Sequence, residues 1–306
     1  MTSSLPQLSI LDRSPRGILE LTGSDREAFL QGMVSNDVVG LSAGDTRHAA
    51  LLDTTGHILA DLHIHARPNA LLIETDPACL DVASGTLNKF LIMEDVQIAD
   101  ASRQWVIVSV LGSGASEFAQ RLSLQAFPTS FPIAPGVDLW LPIADKDAVW
   151  NDLLAAGATL LSADDAEALR IEAGIPKWGH ELTPAILLPE AEMPDAVSYT
   201  KGCYVGQEIV ARLQARGHTN RALRRILLTE DAPVPPIGAT LHVPEDGPEP
   251  GREIGRVASA AASPSRGGQA IALGYVRKEY FDPGTAVSVQ ISQPNGLVFS
   301  YPAEVL

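Results

Sequence analysis

Cys203 lies in the run Lys201-Gly202-Cys203-Tyr204-Val205-Gly206-Gln207-Glu208 and is one of two cysteines in 306 residues. A lysine two residues before it offers a cation, and a nearby cation favours thiolate over thiol. Glycines at 202 and 206 let the backbone turn sharply or approach a ligand closely, because they carry no Cβ. An exposed, cation-assisted thiol on such a turn is a reactive centre. The alternative is a buried structural cysteine, since free cysteine is among the most buried residue types. A thiolate can ligate or transiently hold iron or sulfur, or form a mixed disulfide with a partner. One cysteine cannot hold a whole iron–sulfur cluster, so a stable cluster would need ligands from a second chain. Cys79 falls among apolar residues of an expected helix and is assigned to the core.

Further chemistry sits at Asp61, His63 and His65. Residues 58–66 alternate, with Ile58, Ala60, Leu62, Ile64 and Ala66 on one face and Leu59, Asp61, His63 and His65 on the other. That period of two is a β-strand. His-x-His beside a carboxylate is half of a metal site. No further cluster along the sequence completes it, and no metal site is expected. From Lys201 to Arg225 there are six basic residues (Lys201, Arg212, Arg216, Arg221, Arg224, Arg225) against one acid, Glu208. This segment would suit a carboxylate or poly-glutamyl tail. Otherwise its arginines pair with acids elsewhere in the fold. Trp178 offers a flat face for stacking or a plain core aromatic.

The elements that must position these groups alternate in type. Ser24-Asp25-Arg26-Glu27 reads as a capping box, opening a helix that ends near Asn36-Asp37. Strands are expected at 49–52, 58–66, 70–75, 105–110 and 137–143, and helices at 78–93, 116–124, 147–156 and 164–173, with Gly174 closing the last. Asp53-Thr54-Thr55-Gly56 is a turn. Prolines 176, 184, 189 and 194 make a long irregular stretch before the cysteine run, and Ile209 to Gln214 is helical. After about residue 220 the pattern changes to short strands at 223–228, 240–243, 254–259, 270–275, 286–291 and 297–301, divided by Gly and Pro clusters. Strands at that spacing predict a small barrel or sandwich. The stretch from Glu245 to Gly251 reads as a hairpin tip.

Composition bounds the partners. A net charge of −15 argues against broad binding to DNA or RNA. No apolar run reaches the roughly 18 residues of a membrane span. Met1 to Leu11 lacks the pattern of a secretory or transit signal. Two cysteines make no disulfide framework, so a reducing cytoplasm is the expected compartment.

The cysteine octapeptide resembles the K-G-C-[FY]-x-G-Q-E motif of the YgfZ branch of the glycine cleavage T-protein superfamily. Those are folate-binding proteins linked to iron–sulfur cluster assembly or repair. The resemblance covers most of the chain. Gly23 to Asp37 is similar to the family's early F-L-Q-G…N-D-V segment, and Leu52 to Leu62 to its G-x-I-x-D-D-L strand. Arg170-Ile171-Glu172-Ala173-Gly174-Ile175-Pro176 is similar to R-L-E-A-G-x-P, followed by Gly179-His180-Glu181-Leu182. Gly255-Arg256-Val257, Ser263-Pro264 and Ala272 to Val276 match the C-terminal barrel pattern. The resemblance implies an α+β fold, with interleaved α/β subdomains around a central folate-binding channel over residues 1–219 and a C-terminal β-barrel over 220–306.

It also implies roles. The glutamate of the R-x-E-A-G motif, here Glu172, hydrogen-bonds the pterin in relatives, where a carboxylate can accept two N–H donors side by side. Asp61 would line the same channel. Aminomethyltransferases carry paired aspartates there, whereas this chain has Ala60-Asp61. They also lack the cysteine octapeptide. The implied protein binds tetrahydrofolate at Asp61 and Glu172, uses Cys203, and serves iron–sulfur client or carrier proteins without conventional turnover. The alternatives are a folate-dependent aminomethyl- or methyltransferase, and a thiol-based interaction or redox protein that binds no folate.

Overall fold

A computed structural model describes residues 8–122, 124–217, 219–246, 251–292 and 296–306. Residues 1–7 of the N-terminal segment and 247–250 of the expected hairpin tip lie outside the described residues. Contacts group the chain into two units, one of residues 8–162 and 193–211, the other of 163–192 and 212–306. No helix among the described residues is long and apolar enough to cross a membrane.

In the first unit the order is β1 (Ser9–Asp12), β2 (Gly17–Thr22), α1 (Arg26–Met33), β3 (Thr46–Leu52), β4 (Ile58–Arg67), β5 (Ala70–Thr75), α2 (Leu80–Phe90), β6 (Gln97–Asp100), β7 (Trp105–Leu111), α3 (Ala115–Arg121), β8 (Ala126–Pro128), β9 (Gly136–Pro142), α4 (Lys146–Ala155) and β10 (Thr159–Leu160). Two five-stranded sheets result, ordered β3-β4-β5-β2-β6 and β10-β1-β7-β9-β8. Ile18 and Leu72 of one sheet pack with Ile107, Phe127 and Trp140 of the other. Burying such side chains yields about 1.5–3 kcal/mol each, which drives the sheets together.

Charge is buried in the same unit. The Arg13 guanidinium donates to Glu74 at 2.6 Å and to Asp138 at 3.1 Å, and Arg16 Nε donates to Glu74 at 2.7 Å. Ser130 Oγ lies 2.9 Å from Glu74, and its backbone N–H donates to Asp138 at 2.7 Å. Glu74 and Asp138 are fully buried, and these partners supply what burial removes.

The expected capping box of α1 is not formed. Asp25 is its N-cap residue and makes no side-chain cap. Ser24 instead donates its hydroxyl to Asp95 at 2.9 Å, and Glu27 accepts from the Gly40 N–H. The helix also stops at Met33, short of the expected end, because residues 34–36 turn into a bonded loop. Strands β1, β2, β6, β8 and β10 are not expected from the sequence, and all but the six-residue β2 are only two to four residues long.

In the second unit, α5 (Ala163–Ala173) leads into an irregular stretch. Helix α6 (Gln207–Arg216) follows the cysteine run, and its residues from Arg212 on count with this unit. The strands β11 (Arg221–Leu228), β12 (Thr240–His242), β13 (Glu253–Ala262), β14 (Ala270–Arg277), β15 (Ala286–Ser292) and β16 (Val298–Val305) close a barrel in the order β11-β14-β13-β12-β15-β16. Ile226, Leu241, Ile254, Ala272 and Val289 fill its interior. Ile171 of α5 packs with Leu223, Ile271 and Leu273, so α5 and the loop after it count with the barrel. The fold is α+β, with a C-terminal closed barrel; the strand pattern leaves barrel or sandwich open, and the barrel is the form the resemblance implies.

Candidate functional site

The cysteine run is a loop held from beneath. Lys201 does not spend its donors on the thiol. Its ammonium donates to the carbonyl oxygens of Gln31, Val34 and Asn36 at 2.7, 2.6 and 2.7 Å. An ammonium has three donors, so all are used at the C-terminal end of α1. Burial pushes Lys201 down to about 8, with Asp37 pulling the other way. The ring of Tyr204 lies 5.0 Å from the ammonium. Val205 N–H donates to Gly32 O at 3.2 Å, and Tyr204 N–H to Gln207 Oε1 at 3.2 Å.

Gly206 adopts φ +83°, and a Cβ there would meet the Asp53 carbonyl oxygen at 2.4 Å. Gly56, at φ +82°, faces Ile209, whose Cβ would stand 3.0 Å from an added methyl. The two glycines let the cysteine loop and the β3–β4 turn lie against each other. That turn is closed by Asp53, whose Oδ1 accepts from Thr55 N–H at 2.8 Å and His57 N–H at 3.0 Å. Cys203 is exposed, whereas Cys79 is buried. Burial first, and then Asp76, push the Cys79 thiol up to about 12.

Residues 35–36 tie this region together. Ser35 Oγ donates to Ala196 O at 2.6 Å and accepts from Ala50 N–H at 2.8 Å. Asn36 Nδ2 donates to His48 O and Asp195 O at 2.8 and 2.7 Å. Sequence reasoning assigned these two residues no role beyond a helix end. Their only signal was a short polar pair, Ser-Asn, directly after an apolar helix.

Asp61 has a neighbour the sequence did not reveal. Strands β3 and β4 pair antiparallel with His48 opposite His63 and Ala50 opposite Asp61. His48 Nε2 lies 2.7 Å from Asp61 Oδ1, and His63 Nε2 lies 4.0 Å from Asp61 Oδ2. The two imidazoles stack at 4.4 Å, 9° from parallel. Burial alone would raise the Asp61 carboxyl, but the charge and hydrogen bond of His48 outweigh it and hold it low. Burial pulls His48 down, yet Asp61 outweighs it and raises His48 above its usual value. Burial, then the charge of His48, push His63 down to about 3. The trio sets one carboxylate beside two imidazoles, one of them hydrogen-bonded to it. It can accept or donate hydrogen bonds to a polar ligand edge. His65 is not part of it. That ring is fully buried, 3.4 Å from Glu74 and packed on Phe127 and Trp140.

Glu172 belongs to the second unit, whereas Asp61 and Cys203 belong to the first. Its Oε1 accepts from Ser263 Oγ, from Ser265 N–H at 3.0 Å and from Ser265 Oγ at 2.8 Å. Receiving two further N–H donors side by side would require these serines to release Oε1, which leaves Oε2 for a ligand. Beside it, Arg170 donates to Glu181 at 3.0 Å, to Ile175 O at 2.7 Å and to Ser259 at 2.9 Å. Arg170 and Glu181 are buried, so this ion pair fixes α5 and the following loop on β13.

Two arginines of the basic segment pair with acids. Arg221 donates to Glu190 at 3.0 Å, and Arg224 stands 3.2 Å from Glu192. Arg225 donates to Glu172 O at 3.0 Å. A cavity of about 1000 Å³ in the second unit is lined by residues including His180, Arg221, Tyr275 and Arg277, but not by Glu172.

Residues 6–133 match the GCVT N-terminal domain family and residues 221–306 the glycine cleavage T-protein C-terminal barrel domain family. The chain is 28% identical to an aminomethyltransferase of Exiguobacterium sibiricum, over 91% of this chain and 81% of that one. It is also 28% identical to a tRNA-modifying protein YgfZ of Vibrio vulnificus, over 73% of this chain and 71% of the relative. The crystal structure of the glycine cleavage system aminomethyltransferase T from Bartonella henselae superposes with a TM-score of 0.85 at 21% identity, covering 99% of this chain and 86% of that one. With both its α/β part and its barrel matched, the chain belongs to the glycine cleavage T-protein superfamily, and YgfZ-named proteins and an aminomethyltransferase are both among its relatives.

Proposed function

We propose that the protein is a cytoplasmic folate-binding accessory factor that supports assembly or repair of iron–sulfur clusters in client enzymes. The observation that carries this reading is the exposed Cys203 on a clamped loop, in a chain whose other cysteine is buried. Fixing the loop lowers the entropy lost when the thiol meets a partner. Cys203 ligates iron as a thiolate, with a client or carrier chain supplying the remaining ligands, or it attacks a carrier's persulfide or a partner's disulfide and expels a thiolate from that chain.

Tetrahydrofolate supplies a reduced pterin that carries one-carbon units. This chain offers carboxylate acceptors at Asp61 in the first unit and at Glu172 in the second, where the serines bind Oε1. Both suit the N–H groups of an aminopyrimidine edge. In cells lacking the protein, the wild type restores iron–sulfur enzyme activity and Cys203→Ala does not. Equal restoration by both overturns the reading. In calorimetric titration with tetrahydrofolate, Asp61→Asn and Glu172→Ala weaken binding, and Cys203→Ala keeps it.

A second reading, a folate-dependent aminomethyltransferase, is favoured by the retained Asp61 and by the likeness to the Exiguobacterium aminomethyltransferase. Ala60 stands where those enzymes carry a second aspartate, which removes one positioned carboxylate. Steady formation of methylenetetrahydrofolate from an aminomethyl donor would establish it, and none under saturating folate would exclude it.

A further inference from the structure

The residues that pair across β3 and β4 make a second kind of site. His63 and Asp61 are two apart on β4 and project from one face of the strand. His48 faces His63 directly across the ladder. The candidate ligand atoms of His48, Asp61 and His63 all lie within 4.8 Å of one another. Bonds of about 2.0–2.2 Å from zinc to nitrogen and oxygen place tetrahedral ligands about 3.3 Å apart. His48 Nε2 stands 2.7 Å from Asp61 Oδ1 and His63 Nε2 stands 4.0 Å from Asp61 Oδ2, so the two imidazoles flank one carboxylate, and a shared ion would replace the His48–Asp61 hydrogen bond. The two imidazoles are stacked 4.4 Å apart and 9° from parallel, so one ring must tilt out of the stack for the in-plane lone pairs of both to meet at one ion. The side chains are 25%, 21% and 13% exposed, which leaves a coordination position open to solvent. Arg13 and Arg16, the nearby cations, are engaged by Glu74 and Asp138 rather than aimed at this cluster.

We propose that His48, Asp61 and His63 bind one divalent transition-metal ion of the zinc class, through two imidazoles and one carboxylate, with water in the remaining position. Two nitrogens and one oxygen suit borderline ions such as Zn²⁺ and Co²⁺ better than the oxygen-seeking Mg²⁺ and Ca²⁺. The site rests on the β3–β4 pairing and does not depend on folate binding. It shares only Asp61 with that reading.

The test is calorimetric titration of chelator-treated full-length protein with Zn²⁺, paired with Co²⁺ titration followed by visible absorption. The expected result is one ion per chain and Co²⁺ bands of a four- or five-coordinate centre. His63→Ala and His48→Gln each weaken Zn²⁺ binding by on the order of a hundredfold, at least the loss seen when only an outer partner of a ligand is removed. Glutamine at 48 keeps a donor for Asp61, and thermal melts verify that each variant is folded. Cys203→Ser and His242→Ala bind as the wild type does. Absence of Zn²⁺ binding in the folded wild type overturns the proposal. So does binding that survives both histidine changes and disappears in Cys203→Ser. Tetrahydrofolate titration of His63→Ala, which keeps Asp61, reports separately on the folate reading.

Discussion

The Lys201 ammonium lies 2.6 Å from the carbonyl oxygen of Val34, the C-cap residue of α1. With Gln31 O and Asn36 O also in reach, a residue of the cysteine loop closes a helix about 170 positions earlier in the chain. A cation at a helix C-terminus also complements the helix dipole. Lys201→Met leaves three carbonyls without this donor and costs about 2–3 kcal/mol of stability. Chemical denaturation of wild type and variant measures it. A loss under about 0.5 kcal/mol would show that water replaces the ammonium without penalty.

The two glycines that flank Cys203 separate backbone need from simple smallness. Gly206 has φ +83°, and an added methyl meets Asp53 O at 2.4 Å, whereas nothing lies within 4 Å of one added at Gly202. Gly206→Ala should therefore cost about 2–3 kcal/mol, combining left-handed backbone strain with displacement of the β3–β4 turn. Gly202→Ala should stay within about 0.5 kcal/mol of wild type. Equal melting temperatures for the two variants would contradict the docking of this loop on the turn.

Acid should unfold the first unit through Glu74. Burial alone would raise this carboxyl, but Arg13 and then Arg16, with the His65 ring 3.4 Å away, hold it well below 4.5. A carboxyl depressed on folding contributes stability that is fully present above its unfolded pKa, and that is lost as pH falls through the folded one. Melting temperature should then fall as pH drops below about 4.5. Glu74→Gln starts lower at neutral pH, by about 3–5 kcal/mol, because it leaves Arg13 and Arg16 without their shared carboxylate. The variant should also show a flatter acid dependence, and melts across that range compare the two slopes.

Local periodicity made much of this fold legible. The alternation over 58–66 placed Asp61 and His63 on one strand face, and the short strands after residue 220 pointed to a small barrel or sandwich. What local pattern could not supply was pairing. His48 reaches Asp61 only through the register of β3 on β4. Ser24 turned from its own helix to Asp95, 71 residues away. Lys201 looked like a thiol's cation because Cys203 is near in sequence, yet its partners are near only in space. Arg170 and Glu181 stand in the motifs with no role assigned from the sequence, and only the fold shows them as a buried ion pair.

Glu172 and Cys203 should respond to truncation in opposite ways. Glu172 Oε1 anchors Ser263 and Ser265 at the turn between β13 and β14. Glu172→Ala removes that acceptor and should lower stability by about 1–3 kcal/mol, folate or none. Glu172→Gln retains an oxygen for the serines and should recover part of the loss. Cys203 is exposed, so Cys203→Ala should leave stability within about 0.5 kcal/mol while removing the thiol. Denaturant midpoints for the three variants give the comparison. If Glu172→Ala melts like the wild type, the serine contacts carry little energy, and any loss of tetrahydrofolate binding in it reports on the ligand alone. If it melts lower, Glu172→Gln becomes the variant in which folate binding must be measured, because there the turn is held and mainly the carboxylate charge is gone.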